Sequence, residues 1–157
     1  MKSTIEIDVA APAALVFRLA RDIERWPALL PHYLEVRPIE RRADGSLVAR
    51  MIARRPLVGL VGLGLPVAWR ARTWSDPVRH ELRFVHQGGA THGMDVTWRI
   101  EEAAGGGCRV AIEHDFRPRF APWSAFIDRF FTRPIAGRTL ATFRAIAEAV
   151  HAGESPR

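Results

Sequence analysis

Three histidines lie in segments that alternate between apolar and polar residues, and each is in phase with the apolar ones. His86 follows Leu82 and Phe84 in ELRFVHQ, His92 stands in THGMDVTWRI, and His114 stands in CRVAIEHDF. Alternation with period two predicts strands whose apolar residues face one side. Imidazole titrates near neutrality, so inward histidines could orient a ligand or move a proton. The alternative is that each is a hydrogen-bonded core or strand-end residue.

Other arrangements for chemistry find little support in the sequence. No two of these histidines have helical i, i+4 spacing, and Asp95 and Asp115 fall on the outward phase, so the pattern does not favour a metal site. The glycines of residues 59–64 form GxxGxG, which is not a dinucleotide fingerprint, and no GK[ST] or GxSxG motif is present. The lone Cys108 excludes an internal disulfide, and we place it on the outward or edge side of a strand. The sequence therefore predicts no metal, no cofactor and no covalent nucleophile.

The remaining inward positions favour an apolar pocket with a few polar anchors. In VAWRARTW, Trp69 and Thr73 are in phase with the inner face, whereas Arg70 and Arg72 are out of phase. Five tryptophans, eight phenylalanines and three methionines fit such a pocket, although they could also simply fill a core. The predicted ligand-binding residues are Trp26, Met51, Trp69, Thr73, Phe84, His92, Met94, Trp98, Phe130 and Leu140.

Strands separated by turn signals must position most of these side chains. STIEIDV predicts a strand over residues 3–9, and later strands are expected over 33–42 and 47–54 on either side of the turn ADGS. Further turn signals, SDPV, QGGAT and AAGGG, complete a series of six consecutive strands after residue 33. Together with the first strand, these predict a seven-stranded antiparallel sheet.

Helices are predicted in two places. Pro12 should open an amphipathic helix, and the prolines of WPALLPHY allow only a short second helix or turn before Tyr33. Helical spacing returns over about 121–152, where Pro134 should kink or divide the helix. This C-terminal helix is the one element long enough to cover the apolar face of the sheet, and a curved sheet around one helix leaves a cavity. We therefore expect a single α+β domain over residues 1–152 and a flexible tail over 153–157.

The run RRPLVGLVGLGLPVAW, residues 54–69, is apolar and punctuated by glycines. Its apolar part is shorter than the ~20 residues of a membrane span. We interpret it as a mobile gate that closes on an apolar ligand or makes transient contact with a membrane surface, with Arg54 and Arg55 meeting acidic headgroups or an acidic carrier protein. The alternative is a loop folded against its own core. The predicted gate residues are Leu57, Leu60, Leu63 and Leu65.

The charge pattern argues against a nucleic-acid partner. The net charge is +6, but Lys2 is the only lysine and the arginines are scattered rather than grouped in a block. MKSTIEIDV leads directly into a strand pattern without the apolar core of a signal peptide, so a cytoplasmic location is expected.

Several phrases together resemble a known family. APAALVFRLARDIERWPALLPHYLEV, VAWRARTWSDP, GGATHGMDVTWRI and RPIAGRTLATFRAIAEAV resemble, in order and spacing, the START-like, Bet v 1-like superfamily. They are most similar to its polyketide cyclase/dehydrase and lipid-transport group, which includes aromatase/cyclases and coenzyme Q-binding proteins. The resemblance implies a helix-grip fold, in which a curved seven-stranded sheet wraps around the long C-terminal helix and encloses a cavity.

The resemblance also implies a chemistry. In aromatase/cyclases the cavity holds a poly-β-ketone delivered on an acyl carrier protein and promotes aldol ring closure with loss of water, without metal or cofactor. The WPxLxxxY pattern of those enzymes is present here and ends at Tyr33, which makes Tyr33 a candidate proton donor beside His86 and His114. The inward arginine of those enzymes falls at Thr73, and Arg72 could replace it only if a bulge shifts the strand.

Three functions therefore remain open. The first is a cyclase with Tyr33, His86 and His114 as catalytic residues, and the second is a non-catalytic carrier of a lipid, isoprenoid quinone or aromatic metabolite. The third is a basic protein that binds ribosomes or RNA. The expected partners are an apolar small molecule and, for the enzyme, an acyl carrier protein; the chain is expected to be a monomer or a homodimer.

Overall fold

An antiparallel sheet forms most of the molecule. The computed structural model describes residues 1–56 and 64–154, and within them seven strands form one sheet in the order β1-β7-β6-β5-β4-β3-β2. The β1 strand joins the end of the meander because Ile5 and Ile7 pair opposite Ile112 and Val110. The strands are β1 Lys2–Val9, β2 Tyr33–Arg41, β3 Leu47–Pro56, β4 Gly64–Asp76, β5 Glu81–Gly88, β6 Asp95–Glu102 and β7 Cys108–Asp115. The predicted meander is confirmed.

Helices connect β1 to β2 and follow β7. They are α1 Ala13–Arg21, α2 Trp26–Leu29, α3 Ala121–Ile127 and α4 Arg133–Glu154. Pro12 precedes α1 in an extended conformation, and a short 3₁₀ turn over Ile23–Arg25 leads into α2. The two short helices after the first strand are thus confirmed.

A π-helical turn over Asp128–Thr132 links α3 to α4. In this wider turn the backbone N–H of Arg133 bonds to the carbonyl of Asp128. Pro134 has no N–H and could not continue a regular α-helical ladder at this point. The predicted interruption is confirmed, and it takes the form of a π turn rather than a break.

The core lies between the inner face of the sheet and α4. Phe143 of α4 is buried and packs edge-on against Trp98 of β6, with ring centroids 5.7 Å apart. The C-terminal part of α4 is also tied to the segment between β1 and α1, because Glu148 accepts a hydrogen bond from the backbone N–H of Ala10 at 2.9 Å. The predicted α+β arrangement, a sheet around one long helix, is confirmed.

Several local predictions need correction. Cys108 is 1% exposed and faces inward, because it shares the phase of Val110 and Ile112 on β7. The α4 helix continues to Glu154 rather than ending at 152, and residues 155–157 lie outside the described part of the chain. Among the described residues, no helix combines the length and hydropathy needed to cross a membrane.

Of the four predicted gate residues, only the last, Leu65, lies in the described part of the chain. Leu57, Leu60 and Leu63 lie outside the described residues. Leu65 is not in a loop, because it pairs with Arg55 in the β3–β4 ladder, and half of its surface is exposed.

Candidate functional site

A cavity of about 80 Å³ lies between the sheet and the start of α4. Strands β3 to β7 form one wall, and the π turn and the first turns of α4 form the other. The described lining residues are Trp26, Tyr33, Met51, Val67, Trp69, Phe84, His86, Thr91, Met94, Val96, Trp98, Ile112, His114, Phe131, Thr132, Ile135, Ala136 and Thr139. Most are apolar, and the hydroxyl and imidazole groups among them are the exceptions.

Most of the predicted site residues meet in this cavity. Strand register explains why these residues lie close together, because Met51 of β3 pairs with Trp69 of β4 and Phe84 of β5 pairs with Val96 of β6. Residues of equal phase on adjacent strands then lie on one face. The predicted residues found in the cavity wall are Trp26, Tyr33, Met51, Trp69, Phe84, His86, Met94, Trp98 and His114.

His92 is not part of the wall. It is exposed in the turn before β6, which begins at Asp95, so the alternation that describes Val96 and Trp98 does not extend back to it. Thr91 reaches the cavity from the same turn instead.

Thr73 is buried but lies outside the cavity lining, beside Phe84, its partner on β5. The pairing of β4 with β5 is irregular between Arg70 and Ala71, yet Arg72 still points outward. It donates hydrogen bonds to Asp44 Oδ2 at 2.5 Å and Ser46 Oγ at 2.9 Å. Among the described residues, therefore, no arginine lines the cavity.

Phe130 and Leu140 were also predicted as ligand contacts, and neither lines the cavity. Phe130 is 37% exposed, and the Arg55 guanidinium lies over its ring at 5.2 Å. Leu140 is buried in the core, while Ala136 and Thr139 face the cavity. Phe130 lies within the π turn, whose extra residue interrupts the helical phase that the sequence pattern assumed, whereas Leu140 keeps the predicted buried phase and packs outside the cavity.

His86 stands at one polar end of the cavity. Its Nδ1 lies 2.6 Å from Thr91 Oγ1, and its ring stacks on Trp69 at 5.7 Å and 18°. Burial lowers the pKa of His86 to about 3, and the nearby His114 contributes to the shift. The imidazole is therefore neutral at pH 7, and with Nδ1 held by Thr91, Nε2 is the nitrogen left for a ligand.

His114 forms the second half of this end. Burial lowers its pKa to about 4 and Arg133 adds to that effect, while Asp128 and a hydrogen bond to the Ser3 backbone oppose it. Its Nδ1 is buried without a partner among the described residues. We call His86, His114 and Asp128 the histidine end of the cavity.

Asp128 is a residue that the sequence pattern missed. Its Oδ2 accepts a hydrogen bond from Arg133 Nε at 2.8 Å, and its Oδ1 is buried without a partner in the described structure. Alternation of apolar and polar residues assigns a direction only to side chains on strands. Asp128 lies in the π turn, so this pattern does not predict where its carboxylate points.

Tyr33 forms the other polar end. Its ring packs edge-on against Trp26, with centroids 5.0 Å apart, which joins both ends of the WPxLxxxY pattern. Burial raises the pKa of the Tyr33 phenol well above its usual range, and a hydrogen bond with Thr139 opposes that rise. We call Tyr33, Thr139 and the His32 behind them the tyrosine end.

His32 was also missed, although it directly precedes Tyr33 in the chain. It is 1% exposed, and its Nε2 lies 2.8 Å from Thr139 Oγ1. Burial lowers the pKa of His32 to about 4, with a smaller contribution from Arg138. Within residues 1–56 and 64–154, no group of three or more potential metal ligands is close enough together to hold an ion.

A curved antiparallel sheet closed by a C-terminal helix around an apolar cavity defines the START-like, Bet v 1-like class of domains. The chain belongs to the family "Polyketide cyclase / dehydrase and lipid transport", whose pattern matches residues 9–143.

Solved structures share the fold. The Zhui aromatase/cyclase from Streptomyces sp. R1128 superposes with a TM-score of 0.80 at 19% identity, covering 99% of both chains. The di-domain ARO/CYC BexL from the BE-7585A biosynthetic pathway gives a TM-score of 0.72 at 25% identity, over 96% of this chain and 47% of that one. Ara h 8.0201 gives 0.67 at 15% identity, over 95% of this chain and 98% of that one.

Two curated relatives are similar in sequence. The granaticin polyketide synthase bifunctional cyclase/dehydratase of Streptomyces virginiae is 30% identical over 129 residues, which cover 79% of this chain and 39% of that protein. The protein of the same name from Streptomyces violaceoruber is 26% identical over 117 residues, 73% of this chain and 34% of that protein. This chain thus spans only a part of the relatives' length.

Proposed function

We propose that the protein binds an apolar polyketone in its cavity and promotes aldol ring closure and dehydration without an added cofactor. The observation that carries this proposal is that Tyr33, His86 and His114 share one mostly apolar cavity wall, in which the Trp69 ring contacts both the Tyr33 ring at 6.1 Å and the His86 ring at 5.7 Å. Ring closure needs a base at one carbon and a proton donor at a distant carbonyl oxygen. Membership of the family and the names of the relatives support the same chemistry.

The histidine end would take the first proton. A methylene between two carbonyls loses a proton to His86 Nε2, and the resulting enolate carbon attacks a carbonyl carbon further along the folded chain, forming the C–C bond. His86 is a weak base because its pKa is about 3, so the acidity of the 1,3-dicarbonyl methylene must supply part of the driving force. His114 is a second candidate acceptor for this proton, since the Asp128 carboxylate opposes the effect of burial on its pKa, which is about 4.

The tyrosine end would receive the developing oxyanion. The phenol of Tyr33 stays protonated because burial raises its pKa, and an aldol alkoxide is basic enough to take its hydrogen. The proton on His86 then passes through the new hydroxyl group to the Tyr33 phenolate, which restores both residues. His86 takes the second methylene proton and gives it to the departing hydroxyl group, which leaves as water. The product is the conjugated ring, and the net change is release of one water molecule.

The size of the cavity limits what enters. A volume of about 80 Å³ is below the ~300 Å³ of a small ligand pocket. We therefore propose that the reacting segment occupies the cavity after side chains of the wall move, while the rest of the substrate remains outside. An acyl carrier protein is the proposed source of a substrate held in this way.

A second candidate is a non-catalytic carrier of an apolar metabolite. The position of Arg72 favours it. The resemblance places an inward arginine where this chain has Thr73, and the neighbouring Arg72, which could replace it only through a shift of the strand, is paired with Asp44 on the outside of the sheet. Native mass spectrometry of the purified protein would then show a retained apolar ligand, and Trp69→Ala would reduce its occupancy.

Product analysis separates the two candidates. The purified protein is incubated with carrier-bound polyketones of several chain lengths, and the products are resolved by chromatography and mass spectrometry. A cyclase increases the yield of one dehydrated ring, Tyr33→Phe loses that increase, and the exposed control His92→Ala retains it. Product mixtures that are the same with and without the protein at every chain length would contradict the cyclase.

A further inference from the structure

His32 does not line the cavity, yet it is attached to a residue that does. Its ring is almost completely buried, and its Nε2 lies 2.8 Å from the hydroxyl oxygen of Thr139. Thr139 and Tyr33 both stand in the cavity wall, and the Tyr33 ring packs edge-on against the His32 ring, with centroids 5.0 Å apart. The Thr139 hydroxyl also acts on the pKa of Tyr33, which it lowers as a hydrogen-bonding group. The Thr139 hydroxyl is therefore the group through which the buried imidazole can act on the phenol.

The hydrogens available at Thr139 define the role of each partner. The Thr139 hydroxyl donates to the Ile135 carbonyl at 2.8 Å, and it has only one hydrogen to give. His32 must then be the donor, from Nε2–H, which leaves its Nδ1 as an unprotonated acceptor without a described partner. The depressed pKa of His32 agrees with a neutral ring.

When His32 is the donor, the hydrogen of the Thr139 hydroxyl can be donated to either of two acceptors. Because His32 donates into the Thr139 oxygen and does not compete for its hydrogen, that hydrogen can point to the Ile135 carbonyl or to the Tyr33 oxygen. The second direction stabilises negative charge on Tyr33 when its own proton is shared with a ligand.

We propose that His32 is a positioning residue that acts through the Thr139 hydroxyl to hold and polarise the phenol of Tyr33. The task given to Tyr33 rests on the proposed cyclase function, whereas the path from His32 through the Thr139 hydroxyl to Tyr33 does not. The proposal can therefore be tested with and without a substrate.

Tyr33 is the only tyrosine of the chain, so a ¹³Cζ-tyrosine label gives one NMR resonance that reports the state of its hydroxyl. Three variants are compared. His32→Leu removes the donor, Thr139→Val removes the connecting hydroxyl at nearly constant shape, and His32→Gln keeps an N–H donor of similar reach. We expect His32→Leu and Thr139→Val to shift the resonance in the same direction, His32→Gln to restore it, and the double variant His32→Leu with Thr139→Val to add nothing further.

An unchanged Tyr33 resonance in Thr139→Val or in a folded His32→Leu would overturn the proposal, as would additive shifts in the double variant. Spectra of the wild-type protein labelled with ¹⁵N-histidine give a second criterion, which requires no substitution. They should show His32 protonated at Nε2 only, and a ring protonated at Nδ1 would also overturn it.

Activity adds the functional readout. His32→Leu should lower kcat about tenfold with little change in KM, since one hydrogen bond to the developing charge is lost, and His32→Gln should recover most of it. A parallel loss in both variants, with the NMR signal of Tyr33 unmoved, would assign His32 a structural role only. If the wild-type protein closes no ring, the cyclase function fails, and the NMR measurements still decide the role of His32.

Discussion

The two polar ends of the cavity share an apolar wall but differ in the groups behind them. Behind His114 are charged residues, Asp128 and Arg133, whose ion pair joins the start of the π turn to the start of α4. Behind Tyr33 are neutral groups, Thr139 and His32, joined to each other by a hydrogen bond of 2.8 Å. A proton can therefore be taken up at the histidine end with a carboxylate nearby, whereas the tyrosine end can donate a hydrogen bond with little change of charge.

Removal of the phenol hydroxyl gives the largest expected effect on this comparison. Tyr33→Phe should lower kcat for ring closure about 100-fold, the usual cost of losing one donor to an oxyanion. The ring packing against Trp26 is retained, so KM and the melting temperature should change little. Steady-state kinetics and thermal unfolding check both points, and a kcat within twofold of wild type would remove Tyr33 from the chemistry.

Acid should destabilise the fold through the histidine end. The pKa values of His86 and His114 are about 3 and about 4 in the folded protein, below the unfolded value of 6.5. Between pH 6.5 and these values the unfolded chain binds more protons, so the free energy of unfolding falls as the pH is lowered. From pH 7 to pH 5 each neutral buried histidine should cost about 2 kcal/mol.

Urea unfolding at the two pH values measures this loss. His114→Gln should reduce the difference between pH 7 and pH 5 by about 2 kcal/mol, and the exposed control His92→Gln should leave it as in wild type. Equal pH dependence in wild type and His114→Gln would show that His114 is not held neutral by burial.

The carboxylate behind the histidines should have a smaller effect. Asp128→Asn removes the negative charge that favours a protonated His114, so kcat should fall about tenfold and the pKa of His114 should decrease further. The matched control is Asp115→Asn, since Asp115 also pairs with an arginine but lies on the surface. If both variants behave alike, Asp128 only stabilises the π turn, and the difference between the two ends of the cavity disappears.

The strand part of this site was predictable from the sequence. Alternation placed Trp69, Phe84, Trp98, His86 and His114 on the inner face, because a strand keeps its phase as long as it remains regular. The same rule failed for His92, which lies in the turn before its strand begins. Alternation also says nothing about how far along a strand a cavity extends, which is why Thr73 is buried but lies beyond it.

The helical part was not predictable in the same way. Pro134 indicated an interruption but not its geometry. Within the π turn, Phe130 is exposed, Thr132 lines the cavity, and Asp128 acts on the pKa of His114. His32 and Thr139 carry no periodic signal that connects them, because their contact joins residues far apart in the chain. The polar groups behind the cavity therefore required the three-dimensional structure.

The separate roles of the two ends, with the base at the histidine end and the proton donor at the tyrosine end, can be measured with a β-ketothioester probe in D₂O. Proton NMR follows the exchange of its acidic methylene protons, corrected for the rate without protein, and a longer polyketone measures ring closure. We predict that the double variant His86→Gln with His114→Gln loses both activities, and that Tyr33→Phe retains exchange within about twofold but loses closure about 100-fold. Protein-dependent exchange that survives in the double histidine variant would contradict the assignment of the base to the histidine end.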